Sequence, residues 1–158
     1  MIEVSYFEEI VHRFKTPVFG FLFRLVQDEP LAEQLTEQTF LRLHRLGRYC
    51  GNEGQCATAI YRLAIQSEME SGGVSKLLRP SPLLATGDKE AAIRLAIGGL
   101  PKAERLAVLL HKYQALDLVL IGRILDLHET TVKRLLLTAY RSLRMTLGRY
   151  VDPERERN

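Results

Sequence analysis

The stretch LDLVLIGRILDLHETTVKRLLLTAYRSLRMTL, residues 116–147, decides the fold of this chain. Leucine, isoleucine and valine recur in it at helical spacing on both sides of the short segment 126–128. The pattern predicts a short helix over 116–125, a tight turn and a long helix over 129–147. This is the arrangement of a helix-turn-helix, whose second helix lies in the major groove of DNA. The positions expected to be buried are Ile121, Leu125, Leu127, Val132 and Leu136.

The second helix of this pair carries more basic than acidic side chains. Threonines at its N-terminus would reach base edges or phosphates, and the basic side chains would neutralise phosphate charge. The predicted DNA contacts in this helix are Thr130, Thr131, Lys133, Arg134, Arg141 and Arg144. The alternative interpretation is an ordinary helical hairpin whose basic side chains form a solvated face.

The composition of the chain favours an all-α fold, because Leu, Arg, Ala and Glu dominate and have high helix propensity. With 158 residues, of which 46% are hydrophobic and 26% charged, it can form one ordinary domain or two small ones. Residues 1–80 carry nine basic and ten acidic side chains, whereas residues 81–158 carry thirteen and nine. Positive charge therefore collects in the half that holds the helix pair.

Apolar spacing predicts three helices in the first half of the chain, over residues 5–27, 30–47 and 56–70. Pro17 lies inside the first of them, where we expect a kink or two abutting helices. In the second half, helices are predicted from about 88 to 97 and from 101 to 113, ahead of the helix pair.

Residues 71–87, SGGVSKLLRPSPLLATG, interrupt the helical pattern with glycine, proline and serine. Such a composition is typical of a linker between domains. We therefore expect a first helical domain over 1–70, this linker, a second helical domain over 88–150 and a tail over 151–158.

No arrangement of residues in the sequence points to catalysis or to a bound cofactor. Cys50 and Cys56 lack the further ligands of a zinc site and the spacing of a redox CxxC motif, so free thiols are expected. Paired carboxylates, a Ser-His pair and a glycine-rich phosphate loop are not seen at the spacing that chemistry needs. The sequence thus predicts no catalytic residue, no metal and no cofactor.

The N-terminal segment predicts a cytoplasmic protein with no membrane insertion. Glu3, Glu8 and Glu9 stand where a secretory signal would be basic and then apolar. No apolar run is long enough to cross a bilayer.

Two long stretches resemble extracytoplasmic-function (ECF) RNA polymerase sigma factors. The segment IGRILDLHETTVKRLLLTAYRSLR at 121–144, preceded by Leu100-Pro101, is similar to their region 4. The segment FEEIVHRFKTPVFGFLFRLVQDEPLAEQLTEQTFLRLHRLGRY at 7–49, followed by ATAIYRLA at 57–64, is similar to their region 2. The resemblance covers residues 6–147 in order, with the linker where the family has one.

This resemblance implies a sigma factor that binds core RNA polymerase and directs promoter-specific transcription initiation, the polymerase supplying the chemistry. Region 2 of the family docks on core polymerase and captures an unstacked promoter base, and region 4 binds the upstream promoter element in the major groove. The implied polymerase contacts are Glu33, Thr36, Phe40 and Arg42. The implied DNA contacts in region 2 are Tyr61 and Arg62. An anti-sigma factor is a further partner that the resemblance suggests.

The sequence departs from the family pattern at several positions, and two groups of them bear on its function. Where the family has a basic stretch after Ala64, this chain reads IQSEMESGG over 65–73 and includes Glu68 and Glu70. In the helix pair, Val119 and Leu120 replace an exposed glutamate pair, and Leu135 and Leu137 are additional apolar positions. These positions indicate either local repacking or a partner surface for an anti-sigma factor, a second copy or a small activator.

The departures keep a second function open, a sigma-like mimic that sequesters an anti-sigma factor without driving transcription itself. The acidic stretch and the additional apolar positions favour it, whereas the preserved polymerase-facing helix and the basic C-terminal helix oppose it. A general helix-turn-helix repressor would leave residues 6–70 unexplained.

Overall fold

A computed structural model of the protein describes residues 4–47, 52–71 and 89–151. Every regular element in these ranges is a helix, which confirms the all-α prediction. Nearly all of the predicted linker and the tail from 152 onward lie outside the described residues.

The first half forms a three-helix bundle of α1 (Val4–Val26), α2 (Glu29–Leu46) and α3 (Glu53–Glu70). Local capping sets where two of these helices begin. The Asp28 carboxylate accepts a hydrogen bond from the Leu31 amide, and the Asn52 side chain accepts one from the Gln55 amide. Gly47 ends α2 in the left-handed conformation, with φ of 58°. The largest fully buried apolar side chains of this half are Val18, Phe21, Leu22, Leu35, Leu43 and Ile60.

Helix α1 runs through Pro17 as one helix, so the prediction of two abutting helices is wrong. Pro17 is exposed, whereas Phe14, Val18 and Phe21 face the core. The proline ring therefore lies on the solvent side of α1. It leaves uninterrupted the apolar stripe that packs on α2 and α3.

The second half contains α4 (Lys89–Gly98), α5 (Lys102–Val108), α6 (Leu118–Leu125) and α7 (Glu129–Val151). The predicted helix over 101–113 is only partly α-helical, because Leu109–Tyr113 form a π-helical turn. Helix α6 begins two residues later than predicted because the Asp117 carboxylate caps it, accepting a 2.8 Å hydrogen bond from the Leu120 amide.

Helix α7 is the centre of the second half, since α4, α5 and α6 all pack against it. Of the five positions predicted to be buried in the helix pair, three are buried, namely Ile121, Val132 and Leu136. Leu125 and Leu127 are half-buried and pack on the same core.

The sulfur of Cys56 forms a disulfide, so the free-thiol prediction is wrong for this residue. Cys50 lies outside the described residues. Within the three described ranges, no helix is both long enough and apolar enough to cross a membrane.

Candidate nucleic-acid interface

The connection between α6 and α7 is a tight turn whose closest contact requires a glycine. Asp126 adopts the left-handed conformation with φ of 58°, and the Leu127 amide donates a 2.9 Å hydrogen bond to the Gly122 carbonyl. A Cβ atom on Gly122 would lie 2.6 Å from the Leu127 carbonyl oxygen. Glycine at this position therefore lets the turn carbonyl pack directly on α6.

The N-terminus of α7 is organised by His128 and Thr130. The Thr130 amide donates a 3.2 Å hydrogen bond to Nδ1 of His128, whose ring nitrogen also lies 3.0 Å from the Thr130 hydroxyl. His128 thus caps the first turn of the helix. Thr130 is exposed and Thr131 half-buried, so the first of the two predicted threonine contacts is the more accessible.

Helix α7 presents its basic side chains on the face opposite its buried stripe. The buried stripe consists of Val132, Leu136, Ala139 and Leu143. The predicted DNA contacts Lys133, Arg134, Arg141 and Arg144 are all exposed. We call this exposed face of α7, together with Thr130, the basic stripe. Leu137 lies between Arg134 and Arg141 and is 61% exposed, so one large apolar side chain interrupts it.

Tyr140 connects α7 to the π-helical turn. Its hydroxyl lies 2.9 Å from Nδ1 of His111, and the two rings meet edge to face. Partial burial raises the pKa of the Tyr140 hydroxyl. The tyrosine therefore anchors the middle of α7 to the helix beneath it.

Tyr61 and Arg62, the predicted DNA contacts of α3, face the second half of the molecule. The Tyr61 hydroxyl donates a 2.5 Å hydrogen bond to Oε1 of Gln114, and burial raises the pKa of this hydroxyl above its ordinary range. The Arg62 guanidinium donates a 2.9 Å hydrogen bond to the Arg123 carbonyl on α6. The structure thus brings these two residues together against α6 and the segment before it, away from the basic stripe.

The predicted polymerase contacts on α2 fall into two groups. Glu33, Thr36 and Phe40 line a groove of about 810 Å³ between α1 and α2. Glu33 is exposed there, whereas Thr36 is buried and its hydroxyl donates to the Ala32 carbonyl. Arg42 does not line this groove.

Arg42 instead forms an ion pair with Glu70 at the end of α3. Hydrogen bonds from Arg42, the stronger influence, and from Gln66 lower the pKa of the Glu70 carboxyl. The acidic departure at Glu70 is therefore matched by a basic side chain of the neighbouring helix.

The chain is similar to the sigma factor RpoE of Bartonella quintana, solved in complex with the anti-sigma factor NepR. The match covers 94% of this chain and 99% of the other, at a TM-score of 0.70 and 15% sequence identity. The chain has a sigma-factor-like fold. No protein-family model matches the sequence, and the comparison with curated proteins finds no significant match.

Several residues that define the geometry carry no local sequence signal. Gln114, Arg123 and Lys102 acquire their contacts only because the two halves of this sigma-factor-like fold pack together. Their partners lie 53, 61 and 34 positions away, so no motif could have identified them. Among the residues that the structure describes, no group of His, Cys, Asp and Glu side chains could hold a metal ion.

Proposed function

We propose that this protein is a sigma factor that binds core RNA polymerase and directs promoter-specific transcription initiation. The single observation that carries the proposal is the likeness to a sigma factor over 94% of the chain. The proposal assigns the protein no catalytic residue and no cofactor, and places it in the cytoplasm with core polymerase.

Two surfaces support this function. The basic stripe on α7 is exposed and follows a tight turn, which suits docking in a major groove at an upstream promoter element. The groove between α1 and α2, with the exposed carboxylate of Glu33 and the half-buried rings of Phe7 and Phe19, suits a helical element of polymerase.

The test is reconstitution of the full-length protein with core RNA polymerase, followed by run-off transcription from a genomic library. We expect core binding and promoter-dependent transcripts. The substitution Glu33→Lys should weaken core binding at least several-fold. Glu9→Lys makes the same charge change on α1, at a position that faces away from this groove, and should leave core binding unchanged.

A second candidate, the sigma-like mimic, is favoured by one observation of this chain. Val119 and Leu137 are 45% and 61% exposed, and exposed apolar side chains on adjacent helices are typical of a protein partner surface. The similar sigma factor was solved with an anti-sigma factor bound. Core binding without any promoter-dependent transcript would overturn the sigma-factor proposal and support the mimic.

A further inference from the structure

The first turn of α7 is closed by a histidine, where serine, threonine, aspartate or asparagine is the usual capping residue. The Thr130 amide donates its hydrogen bond to Nδ1 of His128 at 3.2 Å, so Nδ1 carries no proton in this arrangement. The ring is therefore neutral, and its single proton lies on Nε2. His128 is exposed and lies two residues before Thr130, where the basic stripe begins. A titratable side chain thus adjoins the proposed DNA-binding face.

The hydroxyl of Thr130 shares the same acceptor. Its oxygen lies 3.0 Å from Nδ1 of His128. Beside a neutral ring with its proton on Nε2, this hydroxyl must donate to Nδ1, because Nδ1 has only a lone pair to share. The hydroxyl hydrogen is then used within the turn, and only the oxygen lone pairs remain for an outside partner. Phosphate oxygens accept hydrogen bonds, so in this state the hydroxyl cannot donate to DNA.

Protonation of the His128 ring reverses these roles. Nδ1–H of the imidazolium donates to the Thr130 oxygen, and the hydroxyl hydrogen becomes free for an outside acceptor. The Thr130 amide loses its acceptor and becomes a second free donor. The ring itself gains a positive charge. All three changes add donors or positive charge at one place, and each of them favours contact with a phosphate.

The charged groups around His128 come from α6, α7 and α3. Helix α6 carries Arg123 in its last turn and Asp126 at its C-terminal cap, and α7 begins with Glu129. Arg62 of α3 donates to the Arg123 carbonyl. In the part of the chain that the structure describes, neither of the two carboxylates forms an ion pair. The free protein therefore has no ion pair that would hold a proton on His128.

We infer that His128 is a proton-linked DNA contact, whose protonation tightens binding to duplex DNA. This inference rests on the proposed function, since it takes the start of α7 as part of the DNA interface. The hydrogen bond from the Thr130 amide is open only to the neutral ring, whereas a phosphate beside the ring favours the charged form. DNA binding should therefore take up a proton, and affinity should rise as the pH falls through the range of about 8 to 5 in which histidine titrates.

The experiment compares the unsubstituted full-length protein with His128→Asn. Asparagine keeps a side-chain acceptor for the Thr130 amide but does not take up a proton. Fluorescence anisotropy measures affinity for a labelled duplex of about 30 base pairs over a range of salt concentrations, at about pH 8 and about pH 5.5. His12→Asn is the matched control, because His12 is exposed on α1 and lies outside α7. Circular dichroism verifies that each protein keeps its helices at both pH values.

We expect the unsubstituted protein and His12→Asn to bind the duplex five- to tenfold more tightly at the lower pH, roughly the effect of one added phosphate contact near 0.1 M salt. The slope of log affinity against log salt should steepen by about 0.9. His128→Asn should lose most of this gain and most of the steepening. An undiminished gain in His128→Asn would overturn the inference, as would an affinity of the unsubstituted protein that does not change with pH or is too weak to measure at both pH values.

A second variant keeps the test decisive if loss of the ring disturbs the turn. His128→Lys carries its charge at both pH values, so it should bind more tightly than His128→Asn at about pH 8 and gain little on acidification. Equal affinities of these two variants at about pH 8 would contradict the inference.

Reconstitution with core polymerase distinguishes this inference from the proposed function. Promoter-dependent transcripts, together with the same pH response in the unsubstituted protein and in His128→Asn, would overturn the inference and leave the sigma-factor function standing. A pH response that is lost in His128→Asn, without transcripts from the unsubstituted protein, would support the proton-linked contact and overturn the sigma-factor function.

Discussion

The hydroxyl of Tyr61 on α3 donates a 2.5 Å hydrogen bond to Oε1 of Gln114, which follows the π-helical turn. The ring of the same tyrosine meets Phe21 of α1 edge to face, with 5.4 Å between the ring centres. One side chain therefore belongs to the core of the first half and to the contact with the second.

Tyr61→Phe should destabilise the protein at neutral pH by about 1 kcal/mol, the net contribution of one hydrogen bond. Burial raises the pKa of the Tyr61 hydroxyl. The stability that this hydroxyl contributes is therefore present at pH values below 10, the ordinary pKa of tyrosine, and is lost as the pH rises above 10. Above that pH, the free energy of unfolding should fall by up to about 1.4 kcal/mol per pH unit. Urea unfolding of the unsubstituted protein and of Tyr61→Phe, from about pH 8 to about pH 11, measures this loss. The difference between their free energies of unfolding should shrink above pH 10. A difference that stays constant with pH would contradict the prediction.

Gly122→Ala should destabilise the turn between α6 and α7. The new Cβ would lie 2.6 Å from the Leu127 carbonyl oxygen, so the turn must shift, at a cost of about 1–3 kcal/mol. Gly99→Ala is the control, because its Cβ would lie 3.6 Å from its nearest neighbours and should change stability by less than about 0.5 kcal/mol. Thermal unfolding, followed by circular dichroism, compares the two variants. Equal melting temperatures would show that the turn accommodates the added Cβ atom without shifting.

Replacing Lys133 and Arg134 by alanine should weaken binding to duplex DNA and reduce its salt dependence. Each phosphate contact contributes about 0.9 to the slope of log affinity against log salt, so the slope should fall by about 1.8. The control replaces the exposed Arg45 and Lys89, which make the same charge change outside α7. If the salt slope falls by the same amount in both double variants, the basic stripe has no special role in DNA binding.

Leu137→Lys separates the two candidate functions. If the basic stripe binds DNA, a lysine at this exposed position should raise duplex affinity and steepen the salt slope by about 0.9. Because Leu137 is 61% exposed, stability should change by no more than about 0.5 kcal/mol. Leu95→Lys is the matched control on α4, at a residue that is 42% exposed. Unchanged DNA affinity with lost binding to an anti-sigma factor would instead favour a protein-binding face.

Periodicity was enough to predict that each helix exists, because apolar spacing reports which face of each helix is buried. It placed Val132 and Leu136 correctly, and the turn at Asp126 followed from the polar break between apolar runs. It could not place the π-helical turn at Leu109–Tyr113, whose residues are ordinary helix formers. In the fold, α1 packs on that turn, and the Tyr140 hydroxyl of α7 lies 2.9 Å from Nδ1 of His111 within it.

The candidate site was predictable only where exposure follows from position on one helix. Lys133, Arg134, Arg141 and Arg144 of α7 are exposed as expected. Tyr61 is buried instead, because its ring packs on Phe21 and its hydroxyl binds Gln114, which lies 53 positions away. Arg42 faces Glu70 on a neighbouring helix. Long-range pairing of this kind has no signature in the local sequence.

The π-helical turn makes the length of this segment matter more than its composition. A π turn holds one residue more than an α-helical turn, so deleting a single residue from 109–113 would return the segment to ordinary helix. Because the deletion would remove the extra residue of the wide turn, the residues after it would keep their direction around the helix axis. For a deletion within 109–112, Tyr113 would stay beside Arg24 and Gln114 beside Tyr61, so this segment can lose one residue without undocking the two halves.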